Sequence, residues 1–285
     1  MALLCGLVAA SIWGGMYVVS KVVLDVIPPF TLLTIRLVLG AVALGTVILL
    51  RGQRDFTREG FRSSLLVGFV GYGISLGFQF VGTKLSTASN GALVTSATPA
   101  FVLLFAPFLL HEKPTLRSIL ALAASTLGVL AIIDPRTADF SSSLFLGNLS
   151  LLGAALTWAL YSVLVRKAST KVDLLSSGAV MLMAGVPSSA LFSLFELKTQ
   201  AVGEITTGII AGLLFLGIIS TALAMFLWNY AFAQLPATVA ALTFFAQPVV
   251  GTLLGWLLLG EKITPLFLLG GALIGLGILI STKEN

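Results

Sequence analysis

Ten long apolar runs fill almost all of this 285-residue chain. Each run is long enough to cross about 30 Å of hydrocarbon as an α-helix, which rises about 1.5 Å per residue. The runs cover residues 2–20, 30–50, 63–83, 87–110, 115–133, 144–165, 174–195, 205–230, 235–259 and 263–281. Only 9% of the residues are charged, whereas soluble domains carry about 25%. The sequence therefore predicts an all-α integral membrane protein with ten transmembrane helices and no sizeable soluble domain.

Lysines and arginines are distributed unevenly between alternate loops. Ten lie on the side of the membrane that holds the N-terminus, five lie on the other side, and Arg36 lies inside the second run. Cytoplasmic loops of membrane proteins carry an excess of basic residues. Both termini are therefore predicted to lie in the cytoplasm.

Two patterns from the first half of the chain recur in the second half. Trp13 and Lys21 recur 145 positions later as Trp158 and Arg166. A second pattern recurs 149 positions later, in the pairs Pro99 and Pro248, Glu112-Lys113 and Glu261-Lys262, Thr115 and Thr264, and Gly128 and Gly277. The chain is thus predicted to contain two copies of a five-helix unit, residues 1–134 and residues 144–285, joined by a loop at residues 135–143. Because five is odd, the second copy enters the membrane from the opposite side, which gives an inverted repeat around a central cavity, as in many transporters.

All eleven acidic residues fall in loops or at helix ends. Proton relays and cation pumps keep carboxylates inside the helix bundle, and this chain has none at that depth. We therefore expect facilitated transport rather than obligatory proton coupling, although a carboxylate at the membrane edge could still titrate.

Several other classes of mechanism lack the residues that they require. The chain has one cysteine, Cys5, and one histidine, His111, so neither an internal disulfide nor a His or Cys metal cluster can form. No cofactor is expected, and an intramembrane enzyme is disfavoured for the same reason. A Gly-x4-Gly-Lys-Ser/Thr phosphate loop is absent, so ATP hydrolysis by this chain is excluded.

The repeated motifs resemble the EamA family of the drug/metabolite transporter superfamily. Each half has an early tryptophan followed by a basic residue, then a proline-containing helix that runs into Glu-Lys, then a glycine-rich helix; Ile27-Pro28-Pro29 and Arg36 also fit. The resemblance covers essentially the whole chain. It implies a bundle in which helices 1, 3, 4, 6, 8 and 9 line a central cavity, with helices 5 and 10 as outer scaffold. The uncharged, aromatic helix interiors are most similar to those of bacterial inner-membrane exporters of aromatic and other neutral amino acids.

Polar and aromatic side chains at helical spacing are the candidates for contacting a substrate. A neutral zwitterion with an apolar side chain needs amides and hydroxyls for its head groups and an aromatic wall for the rest. The candidate substrate-binding residues are Trp13, Tyr72, Ser75, Gln79, Asn90, Thr95, Thr98, Trp158, Tyr161, Trp228, Asn229, Thr243 and Gln247. The alternative is that such residues join helices together or fill the bundle.

Two prolines are candidates for a structural role in transport. Pro99 and Pro248 each free a backbone carbonyl one turn earlier, at Thr95 and Phe244. These prolines either present a free carbonyl to the cavity or act as hinges on which half of the bundle rocks. Glu112 is interpreted as structural, because an acidic residue complements the dipole at the start of helix 5; Glu261 has the same place before helix 10.

Arg36 is the only basic residue more than one helical turn inside a predicted span. It could bind a carboxylate or a phosphate, or its side chain could snorkel to the outer interface. The resemblance favours snorkelling, since it makes helix 2 peripheral. One cation alone gives little support to a sugar-phosphate or nucleotide-sugar site, which needs several.

Taken together, these features predict a secondary exporter of amino acids that works by alternating access in the bacterial inner membrane. Its partners are a small-molecule substrate and the lipid bilayer, without nucleic acid, and it is a monomer or a homodimer. The alternative cargo is a hydrophobic drug or cation, which would depend on cation–π contacts alone. A passive channel is disfavoured, because no repeated filter motif is present.

Overall fold

Long apolar runs fold into long helices, because a backbone surrounded by hydrocarbon must satisfy its hydrogen bonds within the segment. A computed structural model of the chain describes residues 1–52, 58–86, 88–133, 144–169, 173–259 and 265–282. Every regular element in this part is helical: α1 (Ala2–Leu24), α2 (Pro29–Arg51), α3 (Arg58–Leu85), α4 (residues 88–109), α5 (Leu116–Ile133), α6 (Phe145–Ala168), α7 (Leu174–Glu196), α8 (Thr207–Gln234), α9 (residues 237–259) and α10 (Pro265–Thr282).

Seven of these helices, α1 to α4 and α6 to α8, are long and apolar enough to cross a membrane. The helices α5, α9 and α10 contain shorter apolar stretches, Leu116–Ala131, Ala237–Gly251 and Leu268–Ser281. Large apolar side chains such as Val42, Leu146 and Leu194 are more than 60% exposed on the outside of the bundle, where lipid would cover them. The all-helical membrane architecture is confirmed, and the count of ten spans stays a prediction.

Irregular turns interrupt the helices at corresponding places in the two halves. The helix α3 contains a π-helical segment at Phe69–Ser75, and α8 contains one at Phe215–Leu223. The helix α4 is divided into Ala88–Thr95 and Thr98–Leu109 just before Pro99, and α9 has a 3₁₀ turn at Thr243–Phe245 just before Pro248. Such turns change the rotation of a helix about its axis and thereby re-aim the side chains that follow.

The packing between helices keeps its pattern when the two halves are exchanged. The helix α3 packs on α6 and α7, as α8 packs on α1 and α2, while α4 packs on α6 as α9 packs on α1. The helices α2 and α7 pair with each other, and so do α5 and α10. Gly14 permits the close approach of α1 to α9, because a Cβ atom there would lie only 2.7 Å from the carbonyl oxygen of Gln247. This contact brings α9 against the aromatic face of α1.

Candidate functional site

A narrow cavity lies in the middle of the bundle, where the two halves of the chain meet. Its free volume is about 30 Å³, measured as the space open to the centre of a water molecule. The lining residues are Trp13, Met16, Tyr17, Ser75, Leu76, Gln79, Thr95, Thr98, Ala154, Ala155, Trp158, Met225, Phe244 and Gln247. They come from α1, α3, α4, α6, α8 and α9, the six helices that the family resemblance implies. This space is large enough for a water molecule but too small for an amino acid without movement of the helices.

Seven of the thirteen predicted substrate-binding residues line this cavity: Trp13, Ser75, Gln79, Thr95, Thr98, Trp158 and Gln247. The side chain of Asn90 lies outside the described residues. Sequence reasoning did not select Met16 or Tyr17, although Tyr17 is four residues after Trp13 and therefore on the same face of α1. This i, i+4 relationship to Trp13 could have identified Tyr17 from the sequence as a residue of the same site.

Tryptophans from three helices form one wall of the cavity region. The rings of Trp13 and Trp158 meet edge to face, with their centroids 5.5 Å apart and their planes at 84°. Trp228 lies behind them, with its centroid 5.2 Å from that of Trp13, and is fully buried. Edge-to-face contacts of this kind add to the energy of burial, so the wall is a stable apolar surface.

Tyr17 ties α1 to α3 and α4 at one end of the cavity. The hydroxyl of Thr95 donates to the Gly91 carbonyl at 2.6 Å, so the Tyr17 hydroxyl donates in turn to Thr95 Oγ1 at 2.9 Å. Tyr17 Oη also accepts from Gln79 Nε2 at 3.2 Å. The Thr95 carbonyl, which Pro99 deprives of its helical hydrogen bond, accepts instead from Thr98 Oγ1 at 2.7 Å.

Two residues that line the cavity each have a buried polar atom without a hydrogen-bond partner in the described structure. These atoms are the indole nitrogen Nε1 of Trp158, a donor, and the amide oxygen Oε1 of Gln247, an acceptor. Buried polar groups in folded proteins are almost always paired, and leaving one unpaired costs about 1–3 kcal/mol. Two residues that line the cavity therefore each carry a buried polar atom without a partner, one donor and one acceptor.

The remaining predicted residues with described side chains are buried but do not line the cavity. Tyr72 and Tyr161 are hydrogen bonded through their hydroxyls, and Tyr161 Oη donates to Asn229 Oδ1 at 2.6 Å. Trp228 Nε1 donates to Ser162 Oγ at 3.0 Å. Thr243 Oγ1 donates to the Ala240 carbonyl at 2.6 Å. In this conformation these side chains satisfy one another or the backbone.

The expectation that Arg36 snorkels to the interface is wrong. Its side chain is fully buried and points toward the π-helical segment of α8. Arg36 Nε donates to Thr221 Oγ1 at 2.7 Å, Nη2 donates to Ser220 Oγ at 3.4 Å and Nη1 donates to Met16 Sδ at 3.7 Å. Because α2 packs against α7 and α8, it is not peripheral at this level, and these polar groups hold the guanidinium inside the bundle.

Basic residues at equivalent positions in the two halves of the sequence hold helix ends. Lys21 Nζ donates to the carbonyls of Thr83 at 3.1 Å and Ser86 at 2.9 Å, at the C-terminal end of α3. Arg166 Nη1 donates to the Ala233 carbonyl at 2.8 Å, at the C-terminal end of α8. A cation at this end of a helix satisfies free carbonyls and complements the helix dipole.

Glu112 joins the second of these contacts. Its carboxylate accepts from Arg166 Nε at 3.2 Å and from the backbone N–H of Ala237 at 2.8 Å, at the start of α9. The role is structural, but Glu112 caps α9 rather than α5, the helix that follows it. Glu261 and Lys262 lie outside the described residues.

Comparison with known proteins gives consistent matches. The sequence pattern of the EamA-like transporter family matches residues 1–134 and 145–283. The uncharacterized transporter YoaV of Bacillus subtilis is 31% identical over 278 residues, which are 95% of this chain and 93% of that one. An uncharacterized transporter of Archaeoglobus fulgidus is 24% identical over 276 residues, 96% of this chain and 94% of that one. A protein of known crystal structure is similar in fold, with a TM-score of 0.83 at 21% identity, covering 99% of this chain and 96% of the other.

Proposed function

Because the chain belongs to the EamA-like transporter family and is a multi-pass membrane protein, we propose that it exports amino acids, aromatic and other neutral ones, across the bacterial inner membrane. The observation that carries the proposal is the central cavity, where an aromatic wall stands beside the unpartnered Trp158 Nε1 and Gln247 Oε1. Membership of a transporter family agrees with the expectation that the chain is not an enzyme.

The cavity suits a zwitterion with an apolar side chain. Gln247 Oε1 accepts a hydrogen bond from the substrate ammonium group, and Trp158 Nε1 donates one to a carboxylate oxygen. The substrate side chain packs on Trp13 and Trp158, in the manner of small-molecule sites that combine apolar walls with a few polar groups. Among the described residues no acid lines the cavity, which favours a neutral amino acid over a lipophilic cation and facilitated transport over obligatory proton coupling.

The proposed mechanism is alternating access between two inverted repeats of five spans each, residues 1–134 and 144–285, with both termini in the cytoplasm. Three features support this arrangement. Both α3 and α8 contain a π-helical segment, and the helices of one half pack on the other half in the same pattern when the halves are exchanged. Lys21 and Arg166 also make equivalent contacts at helix ends. The small volume of the cavity also supports it, since a substrate enters only when the halves move apart. Pro99 and Pro248, next to the irregular turns of α4 and α9, serve as the hinges.

Counterflow in proteoliposomes tests the proposal. Vesicles containing the purified protein are preloaded with one amino acid, and the uptake of labelled phenylalanine, methionine, threonine, lysine and glutamate is followed with and without a pH gradient. We expect saturable uptake of the neutral amino acids that requires only the internal amino acid and is unchanged by the gradient. Dependence on the gradient would replace facilitation by proton coupling, and movement of quaternary ammonium dyes without any amino acid would overturn the cargo.

A further inference from the structure

The least expected group near the cavity is a buried positive charge. We propose that Arg36 binds the carboxylate of the substrate, and that Met16 is the mobile side chain that separates it from the cavity. The inference rests on the proposed function and makes it more specific: the transported class is defined by a free carboxylate group.

Arg36 has no acidic partner among the described residues. It is fully buried, and its hydrogen-bond partners are the hydroxyls of Thr221 and Ser220 and the thioether of Met16. The ring of Phe80, 5.1 Å from the guanidinium carbon, adds a weak cation–π contact. A charge removed from water is costly unless an opposite charge compensates it. The partners of Arg36 here are all uncharged, so the place of a counter-charge is left to a guest.

The contacts of the guanidinium show which of its nitrogen atoms are available to bind a carboxylate. Nε is firmly held by Thr221 Oγ1 at 2.7 Å, and this hydroxyl in turn donates to the Leu216 carbonyl at 2.7 Å. The two terminal nitrogens have only long contacts, 3.4 Å to Ser220 Oγ and 3.7 Å to Met16 Sδ. An arginine binds a carboxylate through two parallel N–H groups. Thr221 thus orients the guanidinium, and the weakly bound Nη1 and Nη2 can exchange their partners for a carboxylate.

Met16 connects this group to the cavity. It lines the cavity, and its sulfur is the acceptor for Arg36 Nη1. Methionine is unbranched and changes rotamer readily, so rotation of this one side chain opens a path to Arg36. Ser220 links Arg36 to the wall as well, because its carbonyl accepts from Trp13 Nε1 at 3.0 Å. A substrate ring that rests on Trp13 therefore has its carboxylate near Arg36.

One cation selects a singly charged anion. A phosphate dianion is usually held by several cations, and among the described residues no lysine or arginine lines the cavity, so Arg36 behind Met16 is the one cation near it. The ammonium group of the substrate is then left to the neutral acceptor Gln247 Oε1. This arrangement matches a zwitterionic amino acid and fits neither an amine nor a phosphate ester.

The test compares ligands that differ in one charged group. Binding of phenylalanine, phenylalaninamide and 3-phenylpropionate to the purified protein is measured by tryptophan fluorescence, and each compound is also used to compete with labelled phenylalanine in counterflow. We expect the wild type to bind phenylalanine about ten- to a hundredfold more tightly than phenylalaninamide, the effect of one hydrogen bond to a charged group. Arg36→Gln should weaken the binding of phenylalanine by that factor and leave the binding of phenylalaninamide nearly unchanged. Arg36→Lys should keep part of the preference for phenylalanine.

Arg62→Gln is the matched control, since it makes the same substitution at an exposed position and should change neither affinity. Equal loss of phenylalanine and phenylalaninamide binding in folded Arg36→Gln would overturn the proposal and make Arg36 structural. Equal affinities in the wild type would overturn it without any variant, and so would competition by inorganic phosphate but by no carboxylate. If the wild type binds 3-phenylpropionate but no amino acid, the proposed cargo fails while the role of Arg36 stands.

Discussion

Trp13 and Trp158 stand edge to face, 5.5 Å apart, yet only Trp13 has a partner for its indole N–H within the described structure. Trp13 Nε1 donates to the Ser220 carbonyl in the π-helical segment of α8. Trp158, its equivalent 145 positions later in the sequence, is buried with Nε1 unpaired. The two halves therefore hold equivalent residues in different ways, and identical substitutions in the pair should have different effects.

The first prediction compares two identical substitutions in this pair. Trp13→Phe removes the donor to the Ser220 carbonyl and should lower the stability by about 1–3 kcal/mol, because a buried acceptor loses its partner. Trp158→Phe makes the same reduction in ring size but removes a donor that has no partner, so this variant should unfold at a higher temperature than Trp13→Phe. It should bind phenylalanine about fivefold more weakly than the wild type does. Thermal unfolding in detergent and fluorescence titration measure the two effects. The opposite assignment of stability and affinity would contradict the proposed roles.

The second prediction concerns the free acceptor on α9. Gln247→Leu keeps approximately the volume of the side chain but removes Oε1, so phenylalanine should bind about five- to tenfold more weakly. Binding of 3-phenylpropionate, which has no ammonium group, should not change. Gln200→Leu, at an exposed position, is the control. A parallel loss for both ligands would show that Gln247 supports the packing of α1 and α9 and does not contact the ammonium group.

The third prediction concerns Tyr17. Tyr17→Phe removes the hydroxyl that joins Thr95 Oγ1 and Gln79 Nε2, and it should lower the stability by about 1–2 kcal/mol. Combining it with Gln79→Leu tests the direct contact in a double-mutant cycle. The two losses should be less than additive, because the second substitution removes a group whose partner has already gone. Strict additivity would mean that the two side chains act independently.

The fourth prediction concerns movement at the end of α3. Lys21→Met removes the donor to the Thr83 and Ser86 carbonyls, so this end should open more often. Cys5 is the only cysteine in the sequence, so Cys5→Ser gives a protein without thiols. In this background Thr83→Cys places one thiol at a buried position, which a membrane-impermeant maleimide labels only when the end of α3 opens. We expect labelling to be several times faster with Lys21→Met, and only from the side opposite the termini. Lys198→Met, at an exposed position, should not change the rate of labelling. Equal labelling rates for both variants would show that Lys21 does not hold the end of α3 closed.

The sequence alone was sufficient to predict the all-helical membrane architecture. Apolar runs longer than a bilayer is thick can form only helices there, because hydrocarbon offers no other partner to backbone groups. The spacing of Trp13 and Trp158 identified two equivalent positions, and their rings are in contact in the wall of the cavity. The cavity-lining helices, in contrast, came from the family resemblance.

Only the tertiary structure decided which polar side chains face the cavity and which lie in the core. Helical spacing correctly placed Tyr72 and Ser75 close together on one helix, yet Ser75 lines the cavity and Tyr72 bonds to Tyr161 behind it. The burial of Arg36 likewise depends on the π-helical turn that presents Thr221 to it. Periodicity fixes the angle between side chains on one helix, but the rotation of that helix in the bundle is set by its neighbours and by its own irregular turns, which the sequence pattern does not specify.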